Sequence, residues 1–99
     1  MRVVLDASSL PALPGALELA ADGVRTGGDR RNRDFAEPHV DSSAGPEAEA
    51  LAFDPQTAGG LLVSMPSERA SVLEATVAAA GLLAARIGRV EPGSGVVLR

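Results

Sequence analysis

Apolar positions along the chain come in short bursts separated by Gly, Pro, Ser and Asp, and the spacing inside each burst predicts an element. Arg2-Val3-Val4-Leu5-Asp6 is rich in β-branched residues and stops at the turn formers Asp6 and Ser8-Ser9, which predicts a short strand buried on both faces. Leu10, Leu13, Leu17 and Ala20 recur at helical spacing, with Pro14 near the start and Gly23 as a stop, so residues 12–22 read as a helix. A Gly27-Gly28 turn leads into a charged run through Phe35 that can be helical, and the polar stretch from Pro38 to Pro46 reads as a loop. Glu47 to Phe53 is expected to be a short helical turn that delivers Asp54.

In the second half, Leu61 to Met65 predicts a strand ended by Pro66, and Ser67 is placed to cap a helix with Glu68 in its first turn. Ala70, Leu73, Val77 and Ala80 share one face of that helix, with Leu73 and Val77 expected in the core, and Gly81 ends it. Ala85 to Val90 reads as a strand, and Pro92-Gly93-Ser94-Gly95 as a hairpin turn into a last strand, Val96 to Leu98. The order β-α-loop-β-α-β-β places the chain in the α/β (α+β) class, a small sheet packed with helices. The first strand begins at residue 2 without a cap or a preceding helix, so its sheet is expected to need strands from outside the chain.

Composition sharpens this picture. Ninety-nine residues make at most one domain, and of the 45% that are apolar 18 residues are Ala and only two are aromatic, so the core is thin. A net charge of −4 argues against a nucleic-acid partner, because such binding rests on many cations meeting phosphates. All nine basic residues are Arg, which excludes Schiff-base chemistry, a Lys base and a phosphate-loop Lys within this chain. No Cys is present, so disulfides, thiolate nucleophiles and cysteine metal sites are out, in keeping with a reducing cytoplasm. No run nears the roughly 20 apolar residues of a membrane span, and neither a membrane partner nor a signal segment is expected.

Two loops carry candidate chemistry. Asp54-Pro55-Gln56-Thr57-Ala58-Gly59-Gly60 combines a carboxylate, an amide and a hydroxyl with backbone freedom at Gly59 and Gly60. Asp54 can help order a metal–phosphate ligand, with Gln56 and Thr57 donating hydrogen bonds and the glycine amides forming an anion-binding concavity; alternatively, Asp54 caps a turn and the glycines only allow a tight bend. Gly27, Gly28, Arg31 and Asn32, with Arg30, form the second candidate, because forked guanidinium groups suit phosphate oxygens. The competing reading is a solvated turn with surface arginines. The single histidine, His39, has no Cys or second His to build a dyad or metal cluster. Glu37, Asp41, Glu47 and Glu49 lack metal-ligand spacing and read as solvating charges, so neither catalytic residues nor metal ligands are assigned.

The run Asp54 to Val63, DPQTAGGLLV, resembles the DPQTSGGLL signature of selenophosphate synthetase (selenide, water dikinase). Leu10 to Ala16 is similar to that family's "lPLLPGA" helix start, Gly27 to Asn32 to its "GGTxRN" loop, and Ile87 to Val90 to its "IGxV" ending. Ala58 departs from the family's usual Ser, and Asp29 stands where Thr is typical, which sets a carboxylate where a phosphate would be repelled. The DPQTAGG run speaks against thiamine-phosphate kinase within the wider aminoimidazole-ribonucleotide-synthetase-like superfamily.

The resemblance implies a partial aminoimidazole-ribonucleotide-synthetase-like C-terminal domain over residues 1–99, without the N-terminal nucleotide-binding domain. It implies conversion of ATP, selenide and water to selenophosphate, AMP and phosphate, with magnesium, by a cytoplasmic homodimer. The glycine-rich loop, the reactive Cys or selenocysteine, its partner Lys and most metal-binding aspartates of that family lie in the N-terminal part. This chain is therefore expected to be a C-terminal fragment that is inactive alone and partners the missing domain. The alternative is a non-catalytic remnant or binding module that associates with a full-length synthetase or another partner. The chain is expected to be either a fragment of a longer polypeptide or a truncated open reading frame whose Met1 is not the natural start of the fold.

Overall fold

The two ends of the chain meet in the middle of one sheet. The computed structural model describes residues 1–56 and 58–99, so the expectation for Thr57 falls outside the described residues. Four strands, β1 (Arg2–Leu5), β2 (Val40–Ser42), β3 (Gly88–Glu91) and β4 (Val96–Leu98), lie in the order β2-β4-β1-β3. β4 runs parallel to both β1 and β2, while β3 runs antiparallel to β1. β1 is thus paired along both edges by strands of this same chain, while β2 and β3 form the two edges of the sheet. Its neighbours lie more than eighty residues away in sequence, a distance that no local pattern discloses.

Register explains which faces are apolar. Val90, Val3, Val96 and Val40 stand side by side across all four strands, followed by the row Gly88, Leu5, Leu98 and Ser42. Paired neighbours share a face, so one side of the sheet carries a continuous valine row and the other carries Arg89, Val4, Val97 and Asp41. Val4 and Leu98 are buried, whereas Val3 and Leu5 are half-buried, so β1 is less enclosed than its sequence predicts.

The turn at Pro92 to Gly95 does not make the predicted hairpin, because β1 lies between β3 and β4. The turn instead steps across the start of β1: Val3 N–H donates to the Gly95 carbonyl at 3.0 Å, and Arg2 lies against Gly93. Gly93 and Gly95 take φ of 139° and 81°, and a Cβ on Gly95 would stand 2.7 Å from the His39 carbonyl oxygen, so glycine is required there.

The helices are α1 (Ala16–Ala21), α2 (Asp29–Ala36), α3 (Pro46–Phe53) and α4 (Ser67–Ala79), with short 3-10 turns at Ala7–Ser9 and Glu37–His39. α1 starts four residues later than predicted because Gly15, at φ 83°, breaks the helical path after Pro14. Its stop at Gly23 is as read: Gly23 is left-handed and Val24 N–H reaches back to the Leu19 carbonyl. Gly81 repeats this arrangement after α4, with Leu82 N–H on the Val77 carbonyl. α2 and α3 form where charged and Ala-rich runs were read as helical, and Pro46 opens α3 at a position where no N–H is needed.

Three further expectations are corrected. The stretch from Pro38 to Pro46 is not all loop, since Val40–Ser42 joins the sheet as an edge strand beside β4, a pairing invisible in its own polar sequence. Leu61 to Met65 is not a strand: it is without regular structure or a backbone hydrogen bond among the described residues, and the sheet is built from other segments. Ser67 is the first helical residue rather than the cap, which falls to Pro66 without a side-chain bond. Nor is the Leu73 and Val77 stripe core: α4 buries no side chain fully, and no other helix or strand packs along it among the described residues. The buried apolar side chains are Val4 and Leu98 in the sheet with Ala50 and Phe53 on α3, which packs against α1 and α2. The class, a mixed α/β fold with a small sheet and helices, is as the sequence predicts.

Candidate functional site

The Gly27 to Asn32 loop and the loop opening at Asp54 lie far apart in sequence but meet in the structure. Gly28 sits against the Pro55 ring so closely that a Cβ on it would stand 2.5 Å from Pro55 Cγ. Thr26 Oγ1 donates to Asp54 Oδ1 at 3.1 Å, and Asn32 Nδ2 donates to the Phe53 carbonyl at 2.8 Å. α2 and the turn before it therefore grip the end of α3 and the first two residues of the loop that follows. Phe53 is buried and closes α3, so Asp54 leaves the helix from an anchored point.

Beneath this contact lies an ion cluster. Arg33 Nε donates to Asp29 Oδ2 at 3.1 Å and its Nη1 to Glu49 Oε1 at 3.2 Å, while the guanidinium lies 4.5 Å from the Phe53 ring centroid. A planar guanidinium can serve two carboxylates and an aromatic face at once, which Lys cannot. Asp29 is buried, and its second oxygen, Oδ1, has no hydrogen-bond partner. An unsatisfied buried acceptor of this kind costs about 1–3 kcal/mol, set against the pairing at Oδ2. Asp29 thus faces inward as part of the cluster, and the carboxylate that sequence placed beside a phosphate lies beneath the loop.

The remaining site residues divide clearly. Arg30 and Arg31 are exposed and have no carboxylate partner among the described residues, so their charges are free to meet an anion. Gln56 folds its side chain over Gly59, where a Cβ would stand 2.9 Å from Oε1, while Gly60 has open space around it. Neither Gly59 nor Gly60 adopts a left-handed φ, so the backbone freedom expected of them is not used. His39 ends a 3-10 turn beside the Gly95 turn.

Glu49, read from sequence as a solvating charge, belongs to the cluster instead, because α3 turns it toward α2. Arg33, Phe53 and Thr26 were not singled out from sequence as site residues. The four-residue spacing of Asp29 and Arg33 was a legible helical ion pair; the partners on α3 and the Thr26–Asp54 bond depend on tertiary contact.

The donor set suits an anion rather than a resident metal. Among the described residues no three His, Asp or Glu side chains converge, Asp29 Oδ1 is sealed from solvent, and Asp54 is already engaged by Thr26. Magnesium commonly keeps several waters and takes only one or two carboxylates with substrate phosphates, and the residues here do not supply its cage. The exposed Arg30 and Arg31 fit phosphate oxygens.

No protein-family model matches the chain. Curated relatives do: a selenide, water dikinase of Geobacter sp. (strain M21) is 38% identical over 94 residues, covering 95% of this chain and 27% of that protein. One of Pseudomonas straminea is 41% identical over 93 residues, covering 91% and 26%, and one of Carboxydothermus hydrogenoformans is 33% identical, covering 92% and 27%. The chain spans about a quarter of the length of the curated relatives it matches.

Proposed function

We propose, from the premise that this chain is a relative of the selenide, water dikinases, that it is the C-terminal portion of such an enzyme and forms one wall of its active cleft. The parent activity is then conversion of ATP, selenide and water to selenophosphate, AMP and phosphate. The observation that carries the reading is the junction of the two loops: residues 27–32 and 54–55, marked independently by their sequence resemblance, are held together by the Gly28–Pro55 contact and the Asn32 and Thr26 hydrogen bonds. On this reading Arg31 and Arg30 meet phosphate oxygens, and Gln56 with the amides of residues 59–60 orients them. Magnesium, which would screen the phosphate charge, is held elsewhere in the enzyme.

Exposed apolar side chains support a large partner for this surface. Leu61 is 94% exposed, and Leu62, Val63, Val72, Leu82 and Leu83 all face solvent along the stretch that follows the loop. On this reading they pack on the missing N-terminal part in a cytoplasmic homodimer. No helix of the described residues is long and apolar enough to cross a membrane.

Phosphoryl transfer rests on positioning and charge stabilisation around the nucleotide and its metal, which these residues alone do not supply. The isolated 99-residue chain should thus give no selenide-dependent AMP, and mixing it with the N-terminal part of a relative should restore it. AMP formation by the chain alone would overturn the assignment of catalysis to the missing part. Against this stands a non-catalytic binding module, favoured by the pairing of β1 on both edges within the chain. The mass of the native polypeptide in source cells separates them: a much heavier chain supports the enzyme portion, and a 99-residue mass supports the module.

A further inference from the structure

We infer that Arg33 is a positioning residue: acting through Asp29, Glu49 and Phe53, it fixes the Phe53-Asp54-Pro55 corner against α2, so that the two loops present one surface. This rests on the proposed reading of residues 54–60 as a site wall. The contacts converge on one corner. Arg33 spans α2 and α3 through Asp29 Oδ2 at 3.1 Å and Glu49 Oε1 at 3.2 Å, and its guanidinium lies over Phe53, the last residue before Asp54. One residue earlier, Asn32 holds the Phe53 carbonyl at 2.8 Å, and Gly28 abuts Pro55.

Arg33 does not itself reach the presented surface, because its side chain is three-quarters buried and both carboxylates claim it. Its effect on the loop must pass through the ring and the helix pair. Asp29 gives the cluster its specificity for this chain: a carboxylate at the helix start, four residues before Arg33, lets one guanidinium tie both helices. With the resemblance's usual Thr at that position, Arg33 would be left with Glu49 alone.

The experiment uses the isotopically labelled 99-residue chain, comparing Arg33→Met and Arg33→Lys with the unsubstituted protein by nuclear magnetic resonance. Arg33→Met should move the Asn32 side-chain amide and Asp54 signals and speed exchange of that amide about tenfold, equal to about 1.4 kcal/mol. The β1 and β4 amides should stay in place. Arg33→Lys should restore the Asn32 and Asp54 signals in part, since it can pair with a carboxylate but cannot stack and fork together. Glu49→Gln, which keeps the shape, serves if Arg33→Met does not fold, and should shift the same signals less. Unmoved Asn32 and Asp54 signals in folded variants would overturn the inference and leave Arg33 as a stabilising ion pair only. Titration with magnesium–ATP tests the underlying reading separately. Because the chain alone is not expected to bind the nucleotide tightly, this titration is made with the N-terminal part of a relative present; absence of any response at residues 54–60 in that mixture would defeat the site reading while the signal shifts still upheld the positioning role.

Discussion

At Gly28, a Cβ would stand 2.5 Å from Pro55 Cγ and 3.1 Å from its Cβ, and a pyrrolidine ring fixed to the backbone cannot swing aside as a long side chain can. Gly28→Ala should therefore separate the two loops and cost about 1–3 kcal/mol, read from the urea midpoint. Gly60→Ala, with open space around it, should stay within about 0.5 kcal/mol. Equal effects of the two would mean that the loop junction does not depend on the Gly28 contact. Sequence identified both glycines as site candidates on the same grounds. Only packing separates one that is sterically required from one that is not. Asp29 teaches the same lesson, since a charge that sequence set beside a ligand lies buried under Arg33.

α4 illustrates what an element's own pattern can and cannot fix. Its start after Pro66, its length and its glycine stop are legible because they depend on φ angles and local hydrogen bonds. Whether Leu73 is core depends on a neighbour, and Leu73 is left exposed, with no helix or strand packed closely on α4 among the described residues. Leu98→Ala, which empties a fully buried site, should cost about 2–5 kcal/mol, whereas Leu73→Ala should cost about 0.5 kcal/mol. A 13-residue helix with so little packing is marginal by itself, so its amides should exchange well before those of β1 and β4. Protection of α4 equal to that of the sheet would contradict this picture. Gly81→Ala places a Cβ at φ 72° and should fray the last turn at a cost of about 1–2 kcal/mol.

Across the whole molecule, the last strand to be written in the sequence holds the centre of the sheet. β4 lies between β2 and β1, Arg99 N–H donates to the Leu5 carbonyl at 3.1 Å, and Ala7 N–H donates to Arg99 at 2.7 Å. Deleting residues 96–99 should abolish the cooperative thermal transition, since it removes the partner of two strands at once. A retained transition would show that β1 and β3 with the helices suffice. The apolar stretch from Leu61 to Leu83 acts outside this sheet. Leu62→Asp should leave the melting temperature unchanged while reducing self-association in sedimentation, and a fall in melting temperature would place Leu62 in a core instead.

From sequence alone came the α/β class, a helical run through Phe35 and another from Glu47 to Phe53, the glycine stops at 23 and 81, and both loops that carry the candidate chemistry. These follow from backbone geometry and side-chain type, which act over a few residues. Tertiary structure decided that β1 finds both partners within the chain, that a polar segment at 40–42 becomes an edge strand, and that LLVSM stays unpaired. It also joined the two loops through Arg33, Asn32 and Pro55. Each of those outcomes depends on which surfaces meet after the chain closes, and contact between residues 21 or 93 positions apart leaves no periodicity to read.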